Sequence, residues 1–230
     1  MKKIGLVGGT GPESTAMYYK ELNSQIDALT DGKAMPDISV ESVNFRRAWD
    51  LVSNEKYDEL ADYLCEKVDC LKKTGCEVIA LTAVTMHMVY EKIEDKTGVK
   101  LVSIPEAVAE DIVNKDITKV GLLGTVFTME QDYMKKDLLK RNVEVFVPDD
   151  KERELIGKRI FEELENGIVK KETEKELIDI INRMKTENGI EGVILGCTEL
   201  PLILNEDNCP VTCLDSVKIH LDRLIKLAME

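Results

Sequence analysis

An α/β fold of two similar halves, each built on a central sheet of parallel type, is what this sequence predicts. Three observations carry that reading. Short β-branched runs alternate with longer amphipathic stretches, the pattern of strands joined by crossover helices. A strand-like segment closed by glycine occurs twice, as KIGLVGGT at 3–10 and KVGLLGTV at 119–126. A second pair, GCEVIALTA at 75–83 and GIEGVILGC at 189–197, repeats at almost the same spacing, 114 residues against 116. Two nearly equal offsets over different strands point to an internal duplication.

In chain order, Lys3 to Val7 reads as the first strand, and Pro12 after the glycines suits the first turn of a helix, where a missing N–H costs nothing. Ile38 to Val43 is a second strand. Residues 57–73 form a helix with Leu60, Leu64, Val68 and Leu71 on one face. Val78 to Leu81 is a third strand and Leu101-Val102 a fourth. The pattern then restarts with a strand at Lys119 to Leu123, a helix from about Thr128 and a strand at Val143 to Val147. Helices over 152–165 and 172–186, a strand at Gly192 to Leu195 and a closing helix over 215–228 finish the chain. The halves divide as 1–98 with 209–230, and 99–208.

Net charge is −13 over 230 residues. A protein that acidic lacks the cationic face that nucleic acid or an anionic membrane requires. A small anion would have to be held locally, by backbone N–H groups and a few placed cations. The apolar run Ile4 to Val7 is too short for a signal segment, and no stretch approaches a membrane span. Six cysteines without CxxC spacing, and only two histidines, argue against a zinc site and for a reduced, cytoplasmic chain.

Three stretches carry candidate chemistry. GGTGPEST at 8–15 is a glycine-rich strand-to-helix turn, able to approach a carboxylate or phosphate, or simply a tight turn. Dinucleotide binding fits less well, because the third glycine of GxGxxG falls at Ser14 and the second strand ends in Asn44, not an acid. GCTE at 196–199 puts Cys197 at the carboxyl end of a strand, where ligands of α/β sheets bind. A helix start there would lower the thiol's pKa; buried packing is the alternative. Its counterpart in the first half is Ala83, within TAVTMH at 82–87, so two facing halves would set positions 83 and 197 across one cleft. Thr82 and Thr85 offer hydroxyls, and His87 an acid/base or a structural hydrogen bond. Arg46, Arg47 and Lys170 could pair with a substrate carboxylate or be surface charge. Cys65, Cys70 and Cys76 read as packing residues; Cys209 and Cys213 receive no role.

GGTGPEST, SVNF at 42–45, LTAVTMH, LLGTVFTMEQDY at 122–133, GCTEL and LDSVKIH at 214–220 together resemble the aspartate/glutamate racemase family, especially its bacterial amino-acid racemase branch. The resemblance implies two α/β subdomains related by a pseudo-twofold axis, an active site in the cleft between them, and a homodimer using neither cofactor nor metal. In that family two cysteines flank the substrate's α-carbon, one removing a proton and the other returning one to the opposite face. The second matches Cys197, with Thr198 as its substrate-contacting neighbour. The first motif, Cys-Asn-Thr-x-His, here reads Ala83-Val84-Thr85-Met86-His87, so the first thiol and the neighbouring amide are absent. Gly9, Thr10 and Thr125 fall on ligand-contacting loops, Arg46 or Arg47 matches a substrate-binding arginine, and Lys170 a cleft lysine. The implied substrate is a small anionic amino acid or dicarboxylate. Relatives with threonine at the first position, and a one-cysteine arylmalonate decarboxylase, leave three readings: a one-sided or slowed racemase, a one-thiol decarboxylase or isomerase, and an inactive acid-binding homologue.

Overall fold

A computed structural model describes residues 1–230. The chain forms two compact units, Met1–Ser103 with His220–Glu230, and Ile104–Ile219.

The first unit holds a four-stranded parallel sheet: β1 (Ile4–Gly8), β2 (Ile38–Ser42), β3 (Val78–Leu81) and β4 (Leu101–Val102), in the order β2-β1-β3-β4. Helices α1 (Pro12–Leu29), α2 (Phe45–Ser53), α3 (Tyr57–Lys73) and α4 (Tyr90–Thr97) connect them. β1 and β3 are buried along their whole length, as expected of central parallel strands covered on both faces. The α3 stripe Leu60, Leu64, Val68 and Leu71 is at most 1% exposed. Each of these side chains contributes about 1.5–3 kcal/mol of burial, which holds α3 in place although its N-terminal residue Lys56 supplies no side-chain cap.

The second unit repeats the plan. After α5 (Ile104–Asn114) come β5 (Lys119–Leu123), β6 (Glu144–Phe146), β7 (Gly192–Leu195) and β8 (Thr212–Asp215), in the order β6-β5-β7-β8, all parallel. The short helices α6 (Val126–Glu130) and α7 (Lys136–Leu139) lie between β5 and β6, and α8 (Asp150–Glu162) and α9 (Lys171–Asn188) between β6 and β7. A reciprocal capping box between Asp149 and Glu152 starts α8. The closing helix α10 spans Ser216–Met229. No helix is long and apolar enough to cross a membrane.

The duplication extends to hydrogen-bond register. Ile4 pairs with Val78 and Val7 with Leu81; at the repeat-related positions Val120 pairs with Gly192 and Leu123 with Leu195. Beyond the strands, Thr82 N–H donates to the Val7 carbonyl at 3.1 Å and Gly196 N–H to that of Leu123 at 2.7 Å. Ala83 therefore follows its sheet as Cys197 follows the other.

Two sequence expectations change. Both boundaries between the halves move: residues 209–219 were expected in the first half, but β8 pairs with β7 and the chain returns to the first unit only at His220, while residues 99–103, expected in the second half, belong to the first through the pairing of β4 with β3. Cys70, expected to pack, is exposed, whereas Cys76 is buried and Cys65 half-buried.

Both histidines are buried in the first unit. His220 Nε2 lies 2.8 Å from the Val102 carbonyl and Nδ1 2.7 Å from the Tyr18 hydroxyl. A carbonyl only accepts, so Nε2 carries the proton and Nδ1 accepts from Tyr18. His87 donates from Nδ1 to the carbonyls of Ala83 at 3.0 Å and Val84 at 3.2 Å. Burial pushes the pKa of His87 down to about 4; burial and the nearby His87 push that of His220 down to about 3. Both stay neutral in the fold, while in the unfolded chain they protonate near 6.5. Their contribution is fully present above about 6.5 and is lost as pH falls through the folded values. At pH 5 each histidine costs about 2 kcal/mol relative to neutral pH. Carboxylates such as Glu191, held low by hydrogen bonds from Thr118, act in a more acidic window. Urea unfolding should therefore show a clear loss of stability between pH 7 and pH 5; equal midpoints at both would contradict the assignment.

Candidate active site

The equivalent ends of the two sheets differ in chemistry. In the first unit the turn after β1 is built for glycine. Gly9 and Gly11 have φ of 91° and 100°, and a Cβ on Gly9 would lie 2.5 Å from both Ser42 Oγ and the Val43 carbonyl. Its N–H donates to Thr15 Oγ1 at 2.9 Å. Thr10, at the bend, is half-buried.

Thr82 ties this turn to β3. Ser14 Oγ donates to its carbonyl at 2.8 Å, Thr15 Oγ1 lies 3.2 Å from its hydroxyl, and that hydroxyl donates to the Val7 carbonyl at 3.4 Å. At 1% exposure this residue, expected among the ligand hydroxyls, ties the scaffold together. Ala83 is half-buried in extended backbone, with φ −118° and ψ 129°, and leads into a 3-10 segment over Val84–Val89. Val84 is buried and Thr85 half-buried. His87 anchors the turn by its bonds to the Ala83 and Val84 carbonyls, so it acts here as a structural hydrogen-bonder.

The expected arginines lie in the first turn of α2, which Asn44 caps by accepting the Arg47 N–H at 3.2 Å. Both are exposed. The Arg47 guanidinium stands 4.0 Å from the centre of the Tyr63 ring, a cation–π contact.

In the second unit, Thr125 caps α6. Its Oγ1 accepts the Thr128 N–H at 3.2 Å, and the chain continues through Thr128 Oγ1 to the Tyr133 hydroxyl at 2.9 Å. Across the sheet, a Cβ on Gly196 would lie 3.0 Å from the Leu123 carbonyl, so that position admits no side chain without a shift. Cys197 follows, 8% exposed and part of the buried core that includes Leu123, Leu195 and Leu200.

Its thiol has a polar partner that sequence reasoning missed. Cys197 Sγ donates to Glu199 Oε2 at 2.6 Å, and Thr198 Oγ1 donates to Glu199 Oε1 at 2.6 Å. Glu199 was visible in the GCTE motif, but nothing in the spacing showed that its carboxylate folds back onto the sulfur. The expected helix start is only a three-residue 3-10 turn, Leu200–Leu202. With no helix dipole behind it, the thiol pKa moves opposite to expectation. Burial pushes it well above the ordinary range, and the charges of Glu199 and Glu165 add to the rise. Cys197 therefore rests as a thiol with its proton directed at a carboxylate.

Lys170, expected near a substrate carboxylate, has a carboxylate partner of its own. Its ammonium bonds Glu163 Oε1 at 3.0 Å, beside Arg159 at 2.8 Å, while Thr173 donates to the other oxygen at 2.6 Å. These bonds hold the Glu163 carboxyl below its usual range, Thr173 contributing most.

A parallel sheet repeated in register, with a glycine turn after one central strand and a Gly-Cys-Thr-Glu end on the other, matches a known family profile, Asp/Glu/Hydantoin racemase, over residues 7–224. The chain belongs to the Asp/Glu/Hydantoin racemase family. Among solved members, an aspartate racemase homologue from Pyrococcus horikoshii is 38% identical, with a TM-score of 0.90 and full coverage of both chains. A proposed Asp/Glu racemase from Yersinia pestis is 35% identical, with a TM-score of 0.95, again over the whole of both. Glutamate racemase from Francisella tularensis, solved with D-glutamate, shares the fold at a TM-score of 0.68 and 14% identity, covering 99% of this chain and 81% of that one.

Proposed function

We propose that this protein is an amino-acid racemase-type isomerase, independent of cofactor and metal, that moves the α-proton of aspartate, glutamate or a similar small acid through Cys197. The observation that carries the reading is the Cys197–Glu199 pair at the end of β7. Catalytic proton transfer needs an acid/base within hydrogen-bond reach and a partner to exchange the proton with. Here the sulfur holds the proton and the carboxylate beside it fixes the thiol's position.

The raised thiol pKa sets the direction. A resting thiol is a proton donor, suited to protonating a carbanion. A substrate ammonium beside it would offset the charges of Glu199 and Glu165 and make the thiolate accessible for the reverse step. The position 83 methyl transfers no proton, so on the opposite face water or a distant hydroxyl must serve. The expected activity is therefore slow and one-sided. The family motif supports Thr198, which donates to Glu199, as a substrate contact. The glycine turn, Thr85, Thr125 and the arginines of α2 are retained as candidate contacts for the acid groups. The same reading carries a cytoplasmic homodimer.

A second reading is favoured by the single thiol: decarboxylation of a dicarboxylate, which needs one proton donor only. One experiment separates them. The protein is incubated in heavy water with each enantiomer of aspartate and glutamate, and separately with substituted malonates. The α-position should acquire deuterium from at least one enantiomer. Carbon dioxide release from a malonate without any α-exchange would move the assignment to a lyase, and neither signal would leave a non-catalytic homologue.

A further inference from the structure

The stretch LLGTVFTMEQDY at 122–133 supplies one residue, Thr125, to the candidate contacts retained above. Two more of its side chains, Thr128 and Tyr133, are polar, buried and without a role so far.

Thr128 is 1% exposed. A Cβ on Gly124, after β5, or on Gly196, after β7, would lie 3.1 Å from its methyl carbon. The threonine fits at the ends of both central strands because glycine follows each of them. Gly196 immediately precedes Cys197, so Thr128 packs on the backbone that carries the thiol.

Its hydroxyl joins two others. Thr128 Oγ1 lies 3.0 Å from Thr125 Oγ1 and 2.9 Å from the Tyr133 hydroxyl, and Thr125 Oγ1 also accepts the Thr128 N–H at 3.2 Å. Tyr133 is 8% exposed, and the Phe127 ring stands beside its own, with 6.2 Å between centres.

Each hydroxyl has one proton to give, so the series has a direction. A phenol is a stronger acid than an aliphatic alcohol, hence the better donor and the poorer acceptor. Tyr133 donates to Thr128, and Thr128 donates to Thr125. Thr125 Oγ1 then accepts twice, from the N–H and the hydroxyl of Thr128, and its own proton is left over. The residue is half-buried, open to a ligand. Hydrogen bonds aligned in this way polarise one another and strengthen the last donor. A neutral donor of that kind suits a carboxylate here, because Lys170 is bonded to Glu163 and Arg47 stands over Tyr63.

We infer that Tyr133 is a positioning residue for the substrate's carboxylate: through Thr128 it aims the Thr125 hydroxyl proton at a carboxylate of the bound acid. The inference rests on the reading of this site as one for a small acid. It does not require that Cys197 turn the acid over.

The test reads binding apart from turnover. Binding of aspartate, glutamate and succinate is measured by titration calorimetry, and turnover by α-deuterium exchange. Tyr133→Phe keeps the ring and removes one oxygen. It should weaken binding of the tightest probe about three- to tenfold and raise KM by the same factor, with kcat nearly unchanged. Thr128→Val should match it, whereas Thr128→Ser, which keeps the hydroxyl, should bind as the wild type does. Thr125→Val should weaken binding about ten- to hundredfold. Adding Tyr133→Phe to Thr125→Val should then cost nothing more, because the series has lost its last member. An equal loss from Tyr133→Phe in both backgrounds overturns the inference. So does unchanged binding by Tyr133→Phe at an unchanged thermal midpoint, or a wild-type protein that binds none of the three acids. Wild-type protein that binds an acid, shows this pattern of losses and exchanges no α-proton supports the inference and overturns the racemase reading instead.

Discussion

Replacing Cys197 by serine is expected to reduce α-proton exchange by roughly a hundredfold or more, the usual contribution of a positioned acid/base. Serine keeps a hydroxyl that can donate to Glu199, so the pair that shapes the end of β7 persists. What disappears is an acid of usable strength. The thermal midpoint should change little, which separates lost chemistry from lost structure. Deuterium incorporation, followed by mass spectrometry or proton NMR, is the measurement. A folded Cys197→Ser protein exchanging at the parental rate would remove the sulfur from the mechanism altogether.

The reverse change belongs at the duplicated position. Ala83→Cys should raise interconversion of enantiomers by roughly a hundred- to ten-thousandfold, by supplying an acid/base for the face that now lacks one. The backbone permits it: Ala83 lies at φ −118° and ψ 129°, an extended conformation that any residue adopts, and is not fully buried. This contrasts with Gly196, where a Cβ meets the Leu123 carbonyl. Chiral chromatography after incubation with a single enantiomer reads the result. Adding Cys197→Ser should abolish the gain, because inversion then lacks its other partner. An Ala83→Cys protein with unaltered stability and an unaltered rate would show that position 83 is not the second acid/base position.

Much of the fold was legible because central parallel strands advertise themselves. Val78–Leu81, Lys119–Leu123 and Gly192–Leu195 are apolar runs closed by glycine or threonine, and each strand lies where the pattern put it. The helix over Tyr57–Lys73 was equally plain from its single apolar stripe. β8 was missed because it is an edge strand in which only Leu214 is fully buried, so hydrophobicity along Thr212–Asp215 carries no clear signal. Without that strand, the return to the first unit was placed eleven residues early, at 209 instead of 220.

At the candidate site the division is sharper. Sequence by itself determined the duplication, the racemase family, and the equivalence of Ala83 and Cys197, because these depend on residue identity and order. Tertiary structure alone decided what those residues touch. Lys170 meets Glu163, Thr82 joins the glycine turn, and the Cys197 thiol turns to Glu199 in a buried place that holds its proton on. The reason is physical: a side chain's charge state follows from its desolvation and its neighbours, and both are set by segments far apart in the chain.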